Sequence, residues 1–376
     1  MATIKDVARR AGVSIATVSR VLNGSSLVSE GSARRVRSAA KRLDYWPDIN
    51  ARALTTKRSH AIGVLLPDLF GEFFSEVIRG IDHAAREAKL QILVSSSHAS
   101  MHELVGASQA MRGRIDGLIA MVPDDGSSPQ IRQVIRRFPV VLLNPRQKAA
   151  GCSSVSIANY DGARAMVEHL LRLGHRRIAI LRGPQGNADA DERLRGYREA
   201  LRAAGVAPDR RLELQGDFTE NAGFTCCACL LGLEPRPTAI FAANDYMAIG
   251  LLRALRDQGV DVPGAMAVTG FDDIAFARYL EPPLTTVHVD AYALGEHATR
   301  SLLGFIHEPG PATCTHFVLP TRLVVRASCG SRHVVEPDPV RPRRKARVNP
   351  EATARPPRAR TPVPALAVRA RGSRGR

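Results

Sequence analysis

Residues 3–22, TIKDVARRAGVSIATVSRVL, decide how the chain is read. Thr3 stands where a helix-capping hydroxyl belongs, and Asp6, three residues on, places an acid in the positive first turn. Ile4, Val7 and Ala8 form an apolar stripe at helical spacing, and Ala11-Gly12 ends it where glycine can take positive φ. Ser14 then caps a second helix with Val18, Val21 and Leu22 inward and Ile15, Ala16, Thr17, Ser19 and Arg20 outward. Two helices joined by a tight glycine turn predict a helix-turn-helix, a motif that lays the start of its second helix against base edges in the major groove.

The following residues extend this pattern. Ser29 caps a third helix over residues 30–43, with Val36, Ala39, Ala40 and Leu43 inward and Arg34, Arg35, Arg37, Lys41 and Arg42 outward. Tyr45-Trp46-Pro47 breaks it, and residues 48–54 spell a further short helix before Thr55-Thr56-Lys57-Arg58.

DVARRAGVSIATVSRVLNG, Tyr45-x-Pro47 and Ala51-Arg52-Ala53-Leu54 together resemble the head and hinge of the LacI/GalR family of bacterial regulators, and the resemblance continues to about residue 328. It implies a DNA-binding head over 1–47, a hinge over 48–58 and a two-lobed body over 59–330. Ile15, Ala16 and Arg20 match the base-reading positions of the recognition helix, and Leu54 matches a hinge leucine that wedges between base pairs of the minor groove. Such a wedge unstacks a step and kinks the duplex at a cost of a few kcal/mol that added contacts offset. Thr3, Ser14, Thr17, Ser19, Asn23 and Ala51 complete the expected DNA contacts. Asp48 departs from the asparagine usual after the Tyr-x-Pro.

Charge is distributed to match. Of the net +17, residues 1–58 carry 12 Lys+Arg against 4 Asp+Glu, and residues 331–376 carry 13 against 3, which leaves the body at −1. A basic head suits a polyanion and a near-neutral body suits a neutral or mixed small ligand. The 331–376 segment is rich in Pro, Arg and Ala without apolar periodicity and is expected to be disordered. It is either a polycationic arm for DNA or a compositional extension, since only 6 of the 53 basic residues are lysine. Met1 is followed by polar residues, and no apolar run is long enough for a signal peptide or a membrane span, so a cytoplasmic protein without membrane contact is expected. The six cysteines have no framework spacing. Cys226, Cys227 and Cys229 lack a second pair to complete a tetrahedral site, so neither metal nor cofactor is expected.

From His60 onward, apolar runs at 61–66, 91–96, 117–122 and 140–143, of the kind buried on both faces of a parallel sheet, alternate with helices near 74–89, 103–114 and 129–137. A second set, 177–181, 212–214, 238–242 and 266–271, alternates with helices near 161–173, 192–204, 221–232 and 246–258. Two doubly wound α/β lobes follow. The resemblance implies a body like a periplasmic sugar-binding protein, whose chain crosses between lobes three times, near residues 157, 288 and 317. The first lobe is then about 59–157 and 288–316, and the second about 158–287 and 317–330.

Ligands of open α/β sheets sit beyond the carboxyl ends of the strands. Pro67-Asp68, Phe73-Phe74, Asn144, Arg193, Asn244-Asp245 and Asp272-Asp273 lie there. In the family pattern Arg193 of ERLRGY matches the effector-clamping arginine, Asp272 of GFDD the partner carboxylate, and Phe73 and Phe218 the apolar walls. Asn144 stands where sugar-binding members often have aspartate. An arginine fork and carboxylates bracket vicinal hydroxyls while aromatic faces cover a sugar ring. Arg193 also fits a plain ion pair, Phe73 plain core, and Asp245 a helix cap.

The resulting expectation is a ligand-controlled transcriptional repressor acting on a palindromic operator as a homodimer, with a tetramer left open and a carbohydrate or derivative as effector. A soluble sugar-binding protein without a DNA role and an α/β enzyme are the alternatives. GPQG at 183–186 lacks nucleotide-loop spacing and no Ser-His-Asp set appears, so no enzymatic activity is expected.

Overall fold

The computed structural model describes residues 2–22, 27–46, 58–122, 128–147, 151–307 and 314–331. The expectations for Asn23, Pro47, Asp48, Ala51, Leu54, the hinge helix and the tail from residue 332 lie outside these residues.

The head comprises α1 (Ile4–Ala11), α2 (Ile15–Leu22) and α3 (Glu30–Arg42). At its start the Thr3 N–H donates to the Asp6 carboxylate at 2.9 Å, and the Thr3 hydroxyl donates to the same oxygen at 2.7 Å. The hydroxyl therefore spends its hydrogen on Asp6, so Asp6 is the acceptor that closes the first turn. Gly12 has φ 63°, and its N–H returns to the carbonyls of Ala8 and Arg9. Ser14 Oγ accepts from the Thr17 N–H at 3.2 Å and starts α2. Val7, Ala8, Ala11, Val18, Val21, Val36, Ala39 and Ala40 form a small core. Arg35 Nε, donating to the Ala11 carbonyl at 3.2 Å, ties α3 to the end of α1.

In chain order the body runs β1 (Ala61–Leu66), α4 (Glu72–Glu87), β2 (Gln91–Ser96), α5 (Met101–Ala110), β3 (Gly117–Met121), α6 (Pro129–Ile135), β4 (Val140–Leu143) and β5 (Ser153–Ile157). It continues through α7 (Asn159–Arg172), β6 (Ile178–Leu181), α8 (Ala188–Ala203), β7 (Glu213–Leu214), α9 (Glu220–Leu231), β8 (Ala239–Ala242), α10 (Asp245–Asp257) and β9 (Ala267–Thr269). It closes with β10 (Thr286–His288), α11 (Ala291–His307), β11 (His316–Leu319) and β12 (Arg322–Val324).

The first lobe is a parallel sheet in the order β11-β5-β4-β3-β1-β2, and the second is a parallel sheet in the order β7-β6-β8-β9, with β10 and β12 paired antiparallel. The chain leaves the first lobe after Ile157, returns between His288 and Ala291, and leaves again between Leu319 and Arg322. The last crossing was expected near residue 317. It falls later because His316–Leu319 pair in parallel with Ser154–Ile157 and so belong to the first sheet.

β1, β3 and β4 are buried along their whole length, whereas β2 is only half-buried. The expectation of burial on both faces fails there because β2 is the last strand of its sheet. α4 and α11 cross at two glycines. A Cβ on Gly80 would lie 2.0 Å from the Tyr292 carbonyl oxygen, and one on Gly295 would lie 2.1 Å from that of Val77. Only hydrogen at these positions lets the backbones approach, and the crossing fixes α11 against the first sheet.

Candidate functional site

The outer surface of the head is set by the spacing of its core residues. With Val18 and Val21 buried, Ile15, Ala16 and Arg20 project outward, and Ser14 and Thr3 are exposed beside them. Thr17 and Ser19 are half-buried, with the Thr17 hydroxyl held 2.9 Å from Ser14 Oγ. Ile15 is 44% exposed, a large apolar side chain left on the surface at the start of the second helix. An apolar contact there and a guanidinium one turn further on are the groups that read thymine methyl and guanine edges in a major groove.

In the body, the expected residues are joined by a buried polar chain. Arg193 on α8 is buried, and its Nε donates to Asn159 Oδ1 at 2.8 Å. Its Nη1 donates to the Ala243 carbonyl, and its Nη2 lies 3.3 Å from Asp272 Oδ1. The guanidinium carbon sits 3.8 Å from the centroid of Phe271 and 5.7 Å from that of Phe218. Phe218, at φ 72°, packs directly over Gly183, where an added Cβ would come within 2.3 Å of the ring. Asp189 lies four residues before Arg193 on α8. Its Oδ1 accepts from Asn159 Nδ2 at 2.8 Å and its Oδ2 from Asn144 Nδ2 at 3.1 Å. Asn144, at φ 44°, also accepts the Ile157 N–H at 2.9 Å and so links the lobes.

Asn144, Arg193, Phe218 and Asp272 are thus brought together. Phe73 is packed against the core and edge-on to Phe74, with ring centroids 5.3 Å apart. Asp189, Asn159 and Phe271 were missed. The i, i+4 spacing of Asp189 and Arg193 puts both on one helix face and could have revealed the carboxylate. The helix cap at α10 is Asn244, whose Oδ1 accepts the Met247 N–H at 3.0 Å, and not Asp245. Asp245 points instead into the protein, accepting from Thr286 Oγ1 at 2.6 Å and the Ile274 N–H at 3.0 Å.

This chain carries two carboxylates for one guanidinium. Burial pushes the Asp272 carboxyl up to about 6; Arg193 opposes the rise and the nearby Asp189 charge reinforces it. Asp189 is also raised by burial, against Arg193 and the donors Asn144 and Asn159. Asp272 Oδ1 is a buried oxygen without a hydrogen-bond partner, because Arg193 Nη2 reaches ion-pair distance without hydrogen-bond alignment. A donor from elsewhere would satisfy it.

The lobes are joined along the opening as well. The Ala275 N–H donates to Glu72 Oε1 at 2.6 Å, the Glu72 N–H donates to Tyr246 Oη at 3.1 Å, and Arg146 Nη2 donates to Asp191 Oδ2 at 2.5 Å. A half-open cavity of about 310 Å³ lies at the hinge side, lined by Asn144, Arg146, Asn159, Asp189, Glu192 and Arg195 among others. Arg193, Phe218 and Asp272 do not line it, so the cavity and the arginine cluster share only the Asn144-Asp189-Asn159 wall.

A helix-turn-helix head on a two-lobed body with a polar interlobe chain defines a class of ligand-responsive DNA-binding regulators. Residues 3–48 match the family of bacterial regulatory proteins called lacI, and residues 167–329 match the periplasmic binding protein-like domain. The ribose operon repressor of Escherichia coli K12 is 34% identical over 313 residues, covering 82% of this chain and 94% of that protein. The transcriptional repressor CytR of the same organism is 36% identical over 306 residues, covering 80% and 89%. Among solved structures, the lac repressor dimer bound to operator and the anti-inducer ONPF superposes with TM-score 0.78 at 32% identity, covering 87% of this chain and 99% of that one. The regulator CelR in complex with cellobiose superposes with TM-score 0.65 at 33% identity, covering 87% and 100%. The chain belongs to the lacI family of bacterial transcriptional regulators.

Proposed function

We propose that the protein is a repressor whose affinity for a roughly palindromic operator is set by a small polyhydroxylated ligand held between the lobes. Ile15, Ala16 and Arg20 read bases, with Thr3, Ser14, Thr17, Ser19 and Asn23 beside them and Ala51 and Leu54 supplying the hinge contacts. Phe73, Asn144, Arg193, Phe218 and Asp272 hold the ligand, together with Asp189. The observation that carries this reading is the buried Asp272 Oδ1 without a hydrogen-bond partner, 3.3 Å from Arg193 in a cluster that Asn159, Asp189 and Asn144 join to the first lobe. A hydroxyl donor satisfies that oxygen, and the half-buried Phe218 ring beside the guanidinium suits the C–H face of a sugar ring.

The surplus carboxylate narrows the ligand class. With Asp189 and Asp272 against one arginine, a phosphate or carboxylate on the ligand would enter a site already negative, so neutral polyols and amino sugars are preferred over sugar phosphates. Cellobiose in the related CelR is a ligand of the neutral kind.

One head reads only a few base pairs, so useful affinity requires two related by a two-fold axis. Leu69, Phe70, Phe276 and Tyr279 are exposed apolar side chains. Phe70 lies 6.3 Å from the Tyr246 ring, and Glu72 is bonded to Ala275, so this surface spans both lobes at the interlobe seam. It is the proposed dimer face. A change in lobe angle would then alter the spacing of the two heads, a coupling usually worth about 1–3 kcal/mol. Among the described residues no helix is long and apolar enough to cross a membrane, and cytoplasmic action on DNA is the proposed setting.

The test is a thermal-shift screen of neutral sugars, amino sugars and sugar phosphates on the purified protein, followed by operator titrations with each hit. At 100-fold saturation a ligand stabilises by about 2.7 kcal/mol. A set in which no neutral or amino sugar shifts the melt and a phosphorylated one does would reject the assigned class.

A further inference from the structure

About half the arginines of the body face a carboxylate. Arg79, Arg86, Arg146, Arg164, Arg195, Arg198, Arg211 and Arg300 each face a carboxylate. Arg112, Arg114, Arg136 and Arg137 are exposed and form no ion pair among the described residues. They also share one edge. Arg112 and Arg114 lie in the turn between α5 and β3, and Arg136 and Arg137 in the turn between α6 and β4. β3 and β4 are parallel neighbours in register Leu118 to Val140, so both turns sit at the strand-start edge of the first sheet. Arg136 and Arg137 line an open groove of about 380 Å³ with Pro129, Arg132 and Gln133. Lys89, also exposed, precedes β2 at the same edge. Among the described residues at this edge, Asp116 is engaged by the Ser59 N–H and hydroxyl at 2.6 and 2.8 Å and by the His60 N–H at 2.9 Å, and Glu87, at the end of α4, faces Arg300 at 3.1 Å.

The chain arriving from the head enters the body at this edge. Arg58 Nη2 donates to the Ile306 carbonyl at 3.2 Å, and Ser59 and His60 are fixed on Asp116. From Trp46, the last described residue of the head, to Arg58 is twelve residues, which fully extended span no more than about 40 Å. The tether therefore keeps the end of the head within that distance of Arg58, on the edge that carries these arginines. Duplex DNA presents a phosphate about every 1.7 Å of its axis, and unpaired guanidinium groups gain most from it because no intramolecular ion pair must first be broken.

We propose that Arg112, Arg114, Arg136 and Arg137 form a second, sequence-independent DNA surface that holds phosphates flanking the sequence read by the head. The proposal rests on the regulator reading given above. It gives the body, close to neutral as a whole, a local positive edge on the side from which the head is tethered.

The test uses the full chain and a duplex that it selects from a random library, in two lengths: trimmed to the selected sequence, and extended by about ten base pairs of arbitrary sequence on each side. On the extended duplex the dependence of log affinity on log salt should steepen by about 0.9 for each phosphate gained. The Arg112→Ala, Arg114→Ala, Arg136→Ala, Arg137→Ala variant should lose most of that added slope and keep its slope on the trimmed duplex; the corresponding fourfold Arg→Lys variant should retain most of it. Residues 332–376 are present in every variant, so their contribution cancels. If the fourfold alanine variant melts early, Arg136→Ala with Arg137→Ala carries the same comparison with about half the loss. Equal wild-type slopes on the two duplexes, or an added slope that survives the alanine changes, would overturn the proposal. Retention of polyglutamate by this edge without any flank effect would assign it to an acidic protein instead and equally overturn it. A wild-type chain that selects no duplex at all sinks the regulator reading itself, a result distinct from failure of the flank contact alone.

Discussion

Taking the Asp272 carboxylate out of water costs more than the single guanidinium beside it returns, so its carboxyl is pushed up from 3.8 to about 6. A carboxyl raised in the folded state stabilises the fold fully below its unfolded value and loses that contribution as pH rises through 6. At neutral pH the charged form therefore costs on the order of 2–3 kcal/mol. Asp272→Asn should raise the melting temperature of the ligand-free protein at pH 7.5, and the gain should shrink between pH 6 and pH 4; melts across that range check it. The same variant should lose the ligand's effect on operator binding while ligand-free operator affinity is kept, measured by anisotropy. Ligand affinity of the wild type should weaken as pH falls through 6, because protonation removes an acceptor that the ligand's donor needs. The sequence disclosed Arg193 and Asp272 through ERLRGY and GFDD. It did not disclose Asp189, because a carboxylate four residues from an arginine on a helix is most often a surface pair; here Arg193 is buried and Asp189 is half-buried and held by Asn144 and Asn159.

At the scale of elements, α4 and α11 pack where neither Gly80 nor Gly295 has a side chain. Gly295→Ala sets a methyl group against the Val77 carbonyl and should destabilise the first lobe by about 1–3 kcal/mol, read as a lower denaturant midpoint at unchanged slope. Gly304→Ala, on the same helix with open space at its Cβ, should leave stability unchanged or raise it by under about 1 kcal/mol. Strands with long apolar runs were legible in the sequence because a doubly covered parallel sheet demands them, and β1, β3, β4, β6 and β8 fall there. β5, with its sequence SSVSI, was not legible: Ser153 and Ser154 are buried and bond to Thr315 and His316 across the sheet, so polar residues occupy core positions by pairing. α11 was hidden for a related reason. Its buried face mixes Gly295, Ala298 and Thr299 with leucines, which blurs the apolar stripe that identifies a helix.

For the whole molecule, the exposed apolar surface at Leu69, Phe70, Phe276 and Tyr279 is the proposed dimer face, and it draws on both lobes. If two copies meet there, a closed interlobe seam presents one continuous face and an opened seam presents two displaced halves. Phe70→Glu with Phe276→Glu places four like charges across a two-fold axis and should convert the dimer to a monomer in sedimentation equilibrium. Neither side chain is among the groups that hold Arg193 and Asp272, so the ligand's thermal shift should persist in the monomer. Operator affinity should fall by at least two orders of magnitude at nanomolar protein, since a single head must then carry what two carried. A variant that remained dimeric with unchanged operator affinity would move the two-fold axis to another surface.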